Sequence, residues 1–319
     1  IDKRISLKPA QHKQLLDLFQ IKSTLQDDDE LPVQFANGYV LYENEIVKVN
    51  PGFTPYYLDI DYKEDAYDEH VDEFLDWFTC GRKDLRLVIE EMFGHVLMTK
   101  GFPHKSFFFW GESGSNGKST LIKMLQSFAD GLHTNVPLDK FEDDTSVYSL
   151  IGTLLNVADD IDASYLEKSS NFKTIASGDP VMVRPIYSSA IAFNNKATLV
   201  FTCNELPVFK DKSGGIKRRM QIIPCDAKVT KRDVSIDEKL SSDNAKSYLL
   251  NLALAGVERI LKNGGLTKSK TIENVTKQYF VQSDSVVAFL DEHDINEKIK
   301  RNAYRMYVAY CEENGINAV

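Results

Sequence analysis

Cysteine is scarce in this chain. The 319 residues hold four, Cys80, Cys203, Cys225 and Cys311, with no C-x-x-C spacing. That excludes a disulfide scaffold or zinc framework as the basis of the fold and fits reduced thiols in a cytoplasmic protein. Six histidines show no H-E-x-x-H or related pattern, so they read as structural or surface residues. No apolar run approaches the ~18 residues of a membrane span, and no membrane role is expected. The chain opens on Ile1 with no charged-then-apolar leader, so it carries no sign of secretion. With an end at Val319 just past a helical pattern, this reads as a fragment of a longer protein. Positive charge is also short: 38 Lys and Arg against 47 Asp and Glu give a net charge of −9. Taken alone, that argues against a broad basic face for nucleic acid. The acid is uneven, concentrated at 27–30 and 59–73, where such runs form solvated faces or loops and leave room for a small cationic surface elsewhere.

What is present is ordinary for a soluble globular protein: 43% hydrophobic and 27% charged residues. The length suits two or three domains. Neither internal repeats nor low-complexity tracts occur.

The most informative stretch is 106–121, SFFFWGESGSNGKSTL. Phe107, Phe108, Phe109 and Trp110 read as a buried strand. Gly111, Glu112, Ser113, Gly114, Ser115, Asn116 and Gly117 form a loop of small residues, and Lys118, Ser119 and Thr120 open a helical pattern. Strand, loop, Gly-Lys-Ser and helix in this order are the context of a P-loop. Glycines let backbone N–H groups turn onto phosphate oxygens, and the helix N-terminus adds partial positive charge. Lys118 is placed for the β/γ-phosphates of ATP, and the Ser119 hydroxyl for Mg²⁺. One position departs from G-x-x-x-x-G-K-[ST]: Glu112 stands where the first glycine belongs, with Gly111 one residue further out. A plain Gly/Ser turn that binds nothing is the alternative, disfavoured by the alignment of all three parts.

Upstream, Asn37-Gly38 between short apolar runs signals a hairpin. Val71, Phe74, Leu75 and Phe78, then Leu85, Val88, Ile89, Met92, Val96 and Leu97, predict two core helices over 71–99. Apolar runs at 106–110, 153–158, 198–203 and 220–224 are spaced like strands of an α/β sheet with crossovers. Beyond Pro224 the patterns are helical, at 248–261, 285–290 and 301–313.

Hydrolysis needs carboxylates for Mg²⁺ and for the attacking water. The run 153–160 ends in Asp159 and Asp160, assigned respectively to Mg²⁺ and to polarising water, with the roles interchangeable. An acidic loop after a strand is the bland alternative. The strand at 197–203 runs into Asn204, an amide suited to orienting water and sensing the γ-phosphate. Arg218 and Arg219 follow Gly214-Gly215 and precede a core strand, which suits an arginine finger reaching a neighbour's ATP; a basic surface turn is the alternative. Between Asp160 and Asn204, 180–193 reads as a hairpin. Lys173, Arg184 and Lys196, with the aromatic Tyr187, are candidates for a phosphate backbone with base stacking; a hairpin that packs only on its own subunit is as good a reading for any one of them.

In this order the motifs resemble superfamily 3 helicases, in particular the phage and plasmid primase-helicase family that includes the poxvirus primase-helicase. The matching stretches are GESGSNGKST, LLNVADDID, FKTIASGDPV, ATLVFTCNELP and DKSGGIKRRMQIIP. The resemblance implies an α/β fold: a P-loop AAA+-like ATPase core with a parallel sheet (101–230), a small α+β accessory domain before it (1–100), and a helical C-terminal region starting a winged helix (231–319). It implies a hexameric ring moving 3′ to 5′ on single-stranded DNA in a central pore and replicating a phage, plasmid or other mobile element in a bacterial or viral-host cytoplasm. ATP and Mg²⁺ would lie between subunits, with Lys118, Ser119, Asp159, Asp160 and Asn204 on one side and Arg218 or Arg219 from the next. Such a ring reconciles the acidic total with DNA binding, because it gathers a few cations in the channel. Any primase domain would precede Ile1, or primase would be a partner. A replication initiator or loader using ATP as an assembly switch, and a packaging motor or kinase, remain as competing classes.

Overall fold

The computed structural model describes residues 31–42, 44–48, 54–100, 103–112, 114–161, 165–166, 168–185, 189–209, 214–230, 232–282, 289, 293 and 300–313. The helical pattern expected before residue 30, Ser113, Tyr187 and most of the 285–290 pattern lie outside these residues.

Gly38, at φ 81°, turns β1 (Val33–Phe35) back onto β2 (Tyr39–Tyr42), with Val33 opposite Leu41. β3 (Glu45–Lys48) continues the meander, and β4 (Tyr57–Leu58) pairs parallel with β1, giving the order β3-β2-β1-β4. Two helices follow. In α1 (Glu69–Phe78) the Asp68 carboxylate caps the N-terminus by accepting from the Val71 amide at 3.2 Å, and Val71, Phe74, Leu75 and Phe78 form the buried stripe. α2 (Lys83–Leu97) is buried along most of its length.

The central sheet is built from β5 (Ser106–Trp110), β6 (His133–Thr134), β7 (Leu155–Ala158), β11 (Thr198–Cys203) and β13 (Met220–Pro224). All pairings are parallel and the order is β13-β5-β11-β7-β6. A parallel sheet is covered on both faces, which is why β5 and β11 are near-continuous apolar runs. Along β5 the side chains alternate between two cores: Phe107 and Phe109 pack into the cluster built on α1 and α2, whereas Phe108 stacks on Phe201 with ring centroids 4.9 Å apart.

The remaining elements hang on this sheet. α3 (Lys118–Phe128) follows β5; α4 (Asp144–Val147) precedes β7; β8 (Tyr165–Leu166) pairs with β12 (Val208–Phe209). α5 (Ser170–Ser177) leads into a hairpin of β9 (Pro180–Val183) and β10 (Ile191–Asn194), ahead of β11. α6 (Gly214–Lys217) precedes β13, and α7 (Ile236–Leu240), α8 (Asp243–Asn263), α9 (Lys270–Gln282) and α10 (Lys300–Glu313) complete the chain. The largest apolar cluster runs from Val33 through α1, α2, β5 and α3 to α8 and Ile272, drawing on all three segments of the chain. The observed class is thus mixed α/β around a five-stranded parallel sheet.

α2 and α8 cross at glycines. A methyl group on Gly256 would sit 2.6 Å from the Glu90 carbonyl oxygen, and one on Gly94 2.6 Å from that of Ala253. Backbone cannot yield as a flexible side chain can. Gly256→Val is therefore expected to destabilise by about 2 kcal/mol or more, read as a lowered urea midpoint. An unchanged midpoint would contradict this close crossing.

His95, on α2, shares a 2.7 Å hydrogen bond between Nδ1 and Thr198 Oγ1 beneath the sheet. Burial pulls its pKa from 6.5 down to about 3. The unfolded chain then binds a proton that the folded chain refuses. Stability attributable to neutral His95 is complete above pH ~6.5 and is lost as pH falls towards 3. The expected loss between pH 7.5 and pH 5 is roughly 2 kcal/mol. Urea titrations at both pH values should show that increment shrinking in His95→Gln.

Candidate nucleotide-binding site

Three loops meet at the C-terminal edge of the sheet, following β5, β7 and β11. An open cavity of about 1220 Å³ lies there, lined by Gly114 to Thr120 and by Asp159, Asp160, Thr202 and Asn204. Its floor is the start of α3, where Gly117 occupies the N-cap with φ 84°. The first amides of a helix have no intrahelical acceptor, so this terminus presents donors and partial positive charge to the cavity. Gly117 is required twice over. Its backbone is left-handed, and a methyl group there would lie 2.7 Å from Trp77 Cζ3. Ser115 also takes the left-handed conformation, at φ 59°.

The glycine displaced in the sequence causes no strain. Glu112 is exposed and is not among the positive-φ residues, whereas Gly111 is the tightly packed one: a methyl group on it would meet Asn116 Nδ2 at 2.5 Å.

Lys118 is buried, and its ammonium donates to the carbonyls of Gly111 and Cys203, both at 2.9 Å, and to Asn204 Oδ1 at 2.8 Å. Asn204 Nδ2 in turn donates to Asp160 Oδ1 at 2.9 Å. Thr202 Oγ1 donates to Asp159 and accepts from the Asp160 amide at 2.8 Å. The Asp160 backbone is left-handed, at φ 51°. Strand β7 ends at Ala158, and this twist lets both carboxylates line the same cavity. The three acceptors of Lys118 are neutral, so its charge is not cancelled by a direct carboxylate contact.

The donor set can be weighed against Mg²⁺. Ser119, Asp159 and Asp160 all line the cavity and offer oxygen only. Among the described residues no group of three or more His, Cys, Asp or Glu could hold a metal by itself. A cation that keeps several waters and takes its other oxygens from phosphate needs no such cage, and this set fits it.

Arg218 and Arg219 lie elsewhere. The Arg219 carbonyl accepts from the Ser106 amide at the start of β5, the sheet edge opposite the cavity. Arg219 is buried: Nε donates to Ser177 Oγ at 2.9 Å and Nη1 to the Gly215 carbonyl at 2.8 Å. Arg218 is exposed. Lys173 and Lys196 are half-buried on α5 and before β11, and Arg184 is exposed just after β9. The hairpin at 180–194 buries Val181, Val183 and Phe193 and exposes Met182.

Comparison with known proteins comes to three findings. A sequence family of unknown function, DUF5906, matches residues 109–219, from within β5 to Arg219. No curated protein matches. Among solved structures, the A-form apo structure of the NrS-1 C-terminal region aligns with a TM-score of 0.53 at 12% identity, over 88% of this chain and 86% of that one. Another apo structure of that region aligns with a TM-score of 0.52 at 13% identity, over 93% and 76%. At such identities the likeness is one of fold.

Two parts of the cavity wall escaped the sequence reading. One is a face of α1, His70, Glu73, Phe74 and Trp77; the other is the segment 229–237, including Arg232. The helices over 71–99 were expected only to fill the core. The available signal was Trp77, a large aromatic just off the buried stripe of α1.

Proposed function

We propose that this chain is the ATPase part of a replicative DNA helicase that hydrolyses ATP with Mg²⁺ and works as a ring on single-stranded DNA. The observation that carries this reading is the chain of contacts from Lys118 through Asn204 to Asp160. It joins the ends of three adjacent parallel strands, so that a cation for phosphate, an amide to orient water and a carboxylate to polarise it share one cavity. A protein that only stored a nucleotide would need the first of these alone. The motifs that resemble superfamily 3 helicases, carried on a fold like that of the NrS-1 C-terminal region, support this reading. So does the exposed Arg218 on the far sheet edge, suited to completing a neighbour's site. In this reading Lys173, Arg184, Tyr187 and Lys196 serve the DNA path around the hairpin.

The test is ATP hydrolysis with and without single-stranded DNA, together with displacement of a long duplex and solution mass with an ATP analogue. Stimulation by DNA, displacement and an assembled ring are expected. Hydrolysis indifferent to every DNA tried would remove the helicase reading. Hydrolysis and assembly without displacement would move the assignment to an initiator or loader.

A further inference from the structure

The cavity is far larger than the triphosphate cradle needs, and its second wall is the face of α1. Residues 70, 73, 74 and 77 are spaced i, i+3, i+4 and i+7, one stripe of a helix, and all four line the cavity. This stripe is set round from the core-facing one. Phe74 belongs to both, being buried, but Trp77 keeps 36% of its surface exposed. Its ring edge lies against Gly117, at the cap of the helix where phosphate would sit. A half-exposed indole beside a phosphate cradle, at the mouth of a cavity with room for more, is placed as a stacking surface for a flat aromatic group.

α1 is held rigidly for this purpose. Arg86 of α2 donates to Asp76 at 2.7 Å, to the Asp72 carbonyl at 3.0 Å and to Glu90 at 3.0 Å, and also pairs with the Asp72 carboxylate. Arg82 ties the α1–α2 corner to Asp226, just past β13, at 2.7 Å. Asn244 of α8 donates to Asp68 at the other end of α1 at 2.9 Å. An aromatic held by such supports loses little freedom when a ligand stacks on it.

We propose that Trp77 is the base-stacking residue of this site, so that α1, which comes before the sheet in the chain, is the wall that holds the nucleobase. The inference rests on the nucleotide reading of the cavity. It assigns the ligand's two ends to different parts of the chain: phosphates to the 111–120 loop and helix start, base to α1.

Calorimetric titration with Mg²⁺–ATP and with Mg²⁺–tripolyphosphate, which has the phosphates but no base, separates the two ends. Wild type should bind both, ATP the tighter. Trp77→Ala should weaken ATP by about 10-fold or more and leave tripolyphosphate within about twofold; Trp77→Phe, which keeps a ring, should retain most of the ATP affinity. Equal loss of both ligands in a folded Trp77→Ala protein would make Trp77 a mere support for Gly117 and overturn the assignment. So would unchanged ATP binding. Should Trp77→Ala fail to fold, Trp77→Phe decides together with Trp77→Leu, which keeps apolar bulk without a ring: equal ATP affinity in the two overturns stacking. Binding of neither ligand by wild type would instead bring down the nucleotide reading, a result distinct from all of these.

Discussion

Replacing Lys118 with alanine is expected to reduce ATP hydrolysis at least about 100-fold, the scale of losing one preorganised charge at a reacting phosphate. The reason lies in what the ammonium touches. Gly111 and Cys203 offer carbonyls and Asn204 an amide oxygen. These hold the side chain over the cavity floor without neutralising it, so most of its charge remains for an incoming phosphate. Lys118 also latches Asn204, which in turn holds Asp160. Arrival of a γ-phosphate would draw Lys118 from its neutral acceptors and free the amide to orient water. The variant therefore loses a charge and the contact that keeps the Asn204 and Asp160 side chains in register. Phosphate release at saturating ATP, with thermal unfolding of the same sample, checks this: the rate per folded molecule should collapse, whereas losing the three contacts of a buried ammonium lowers stability by only about 1–3 kcal/mol. A variant hydrolysing within threefold of wild type would exclude Lys118 from the chemistry. Lys118→Arg is expected to rescue poorly, because a planar fork cannot reproduce three contacts converging on one nitrogen.

How much of this was legible beforehand depended on the range of the interactions involved. Strands β5 and β11 could be read because a doubly covered parallel strand is a near-continuous apolar run, and the hairpin at Asn37-Gly38 because its turn chemistry is local. β6 could not: His133-Thr134 is two polar residues whose strand character comes wholly from pairing with β7. The loops at 111–120, 159–160 and 204 were visible as strand endings, and the structure brings residues 114–120, 159–160 and 204 to one cavity. Their hydrogen bonds were not visible, since the left-handed turn at Asp160 has no sequence mark that separates it from any Asp after a strand. Trp77 went unread for a different reason. Helical spacing identifies the face that meets the core, but which neighbour covers the adjacent face is decided by the α1–α2 clamp and by Gly117, forty residues further on.

Arg218 and Arg219 illustrate the same limit, and their expected effects differ most of all. Adjacent and chemically identical, they could not be ranked from sequence. Arg219 spends its donors inside the subunit, on Ser177 and Gly215. Its removal takes away the donors to the buried Ser177 hydroxyl and to the Gly215 carbonyl, costing about 1–3 kcal/mol of stability. Arg218 points to solvent from the edge of the sheet opposite the cavity. β13 spans five residues between that edge and Pro224, which pairs with Trp110. At about 3.3 Å per residue this is roughly 16 Å, further than an arginine side chain reaches. Arg218 therefore has no path to its own subunit's cavity, and a catalytic role requires a neighbour. Arg218→Ala should lose about 10³-fold in hydrolysis, the scale of a missing arginine finger, with an unchanged unfolding midpoint. Arg219→Ala should lower the midpoint and lose activity only in step with folding. Mixing subunits sharpens the comparison. Arg218→Ala protein added to wild type should depress activity more steeply than its mole fraction, because each variant subunit disables the site of the subunit beside it and breaks the concerted action of a ring. Strictly proportional loss would mean that every subunit carries its whole site, and would favour a kinase-like enzyme over a ring.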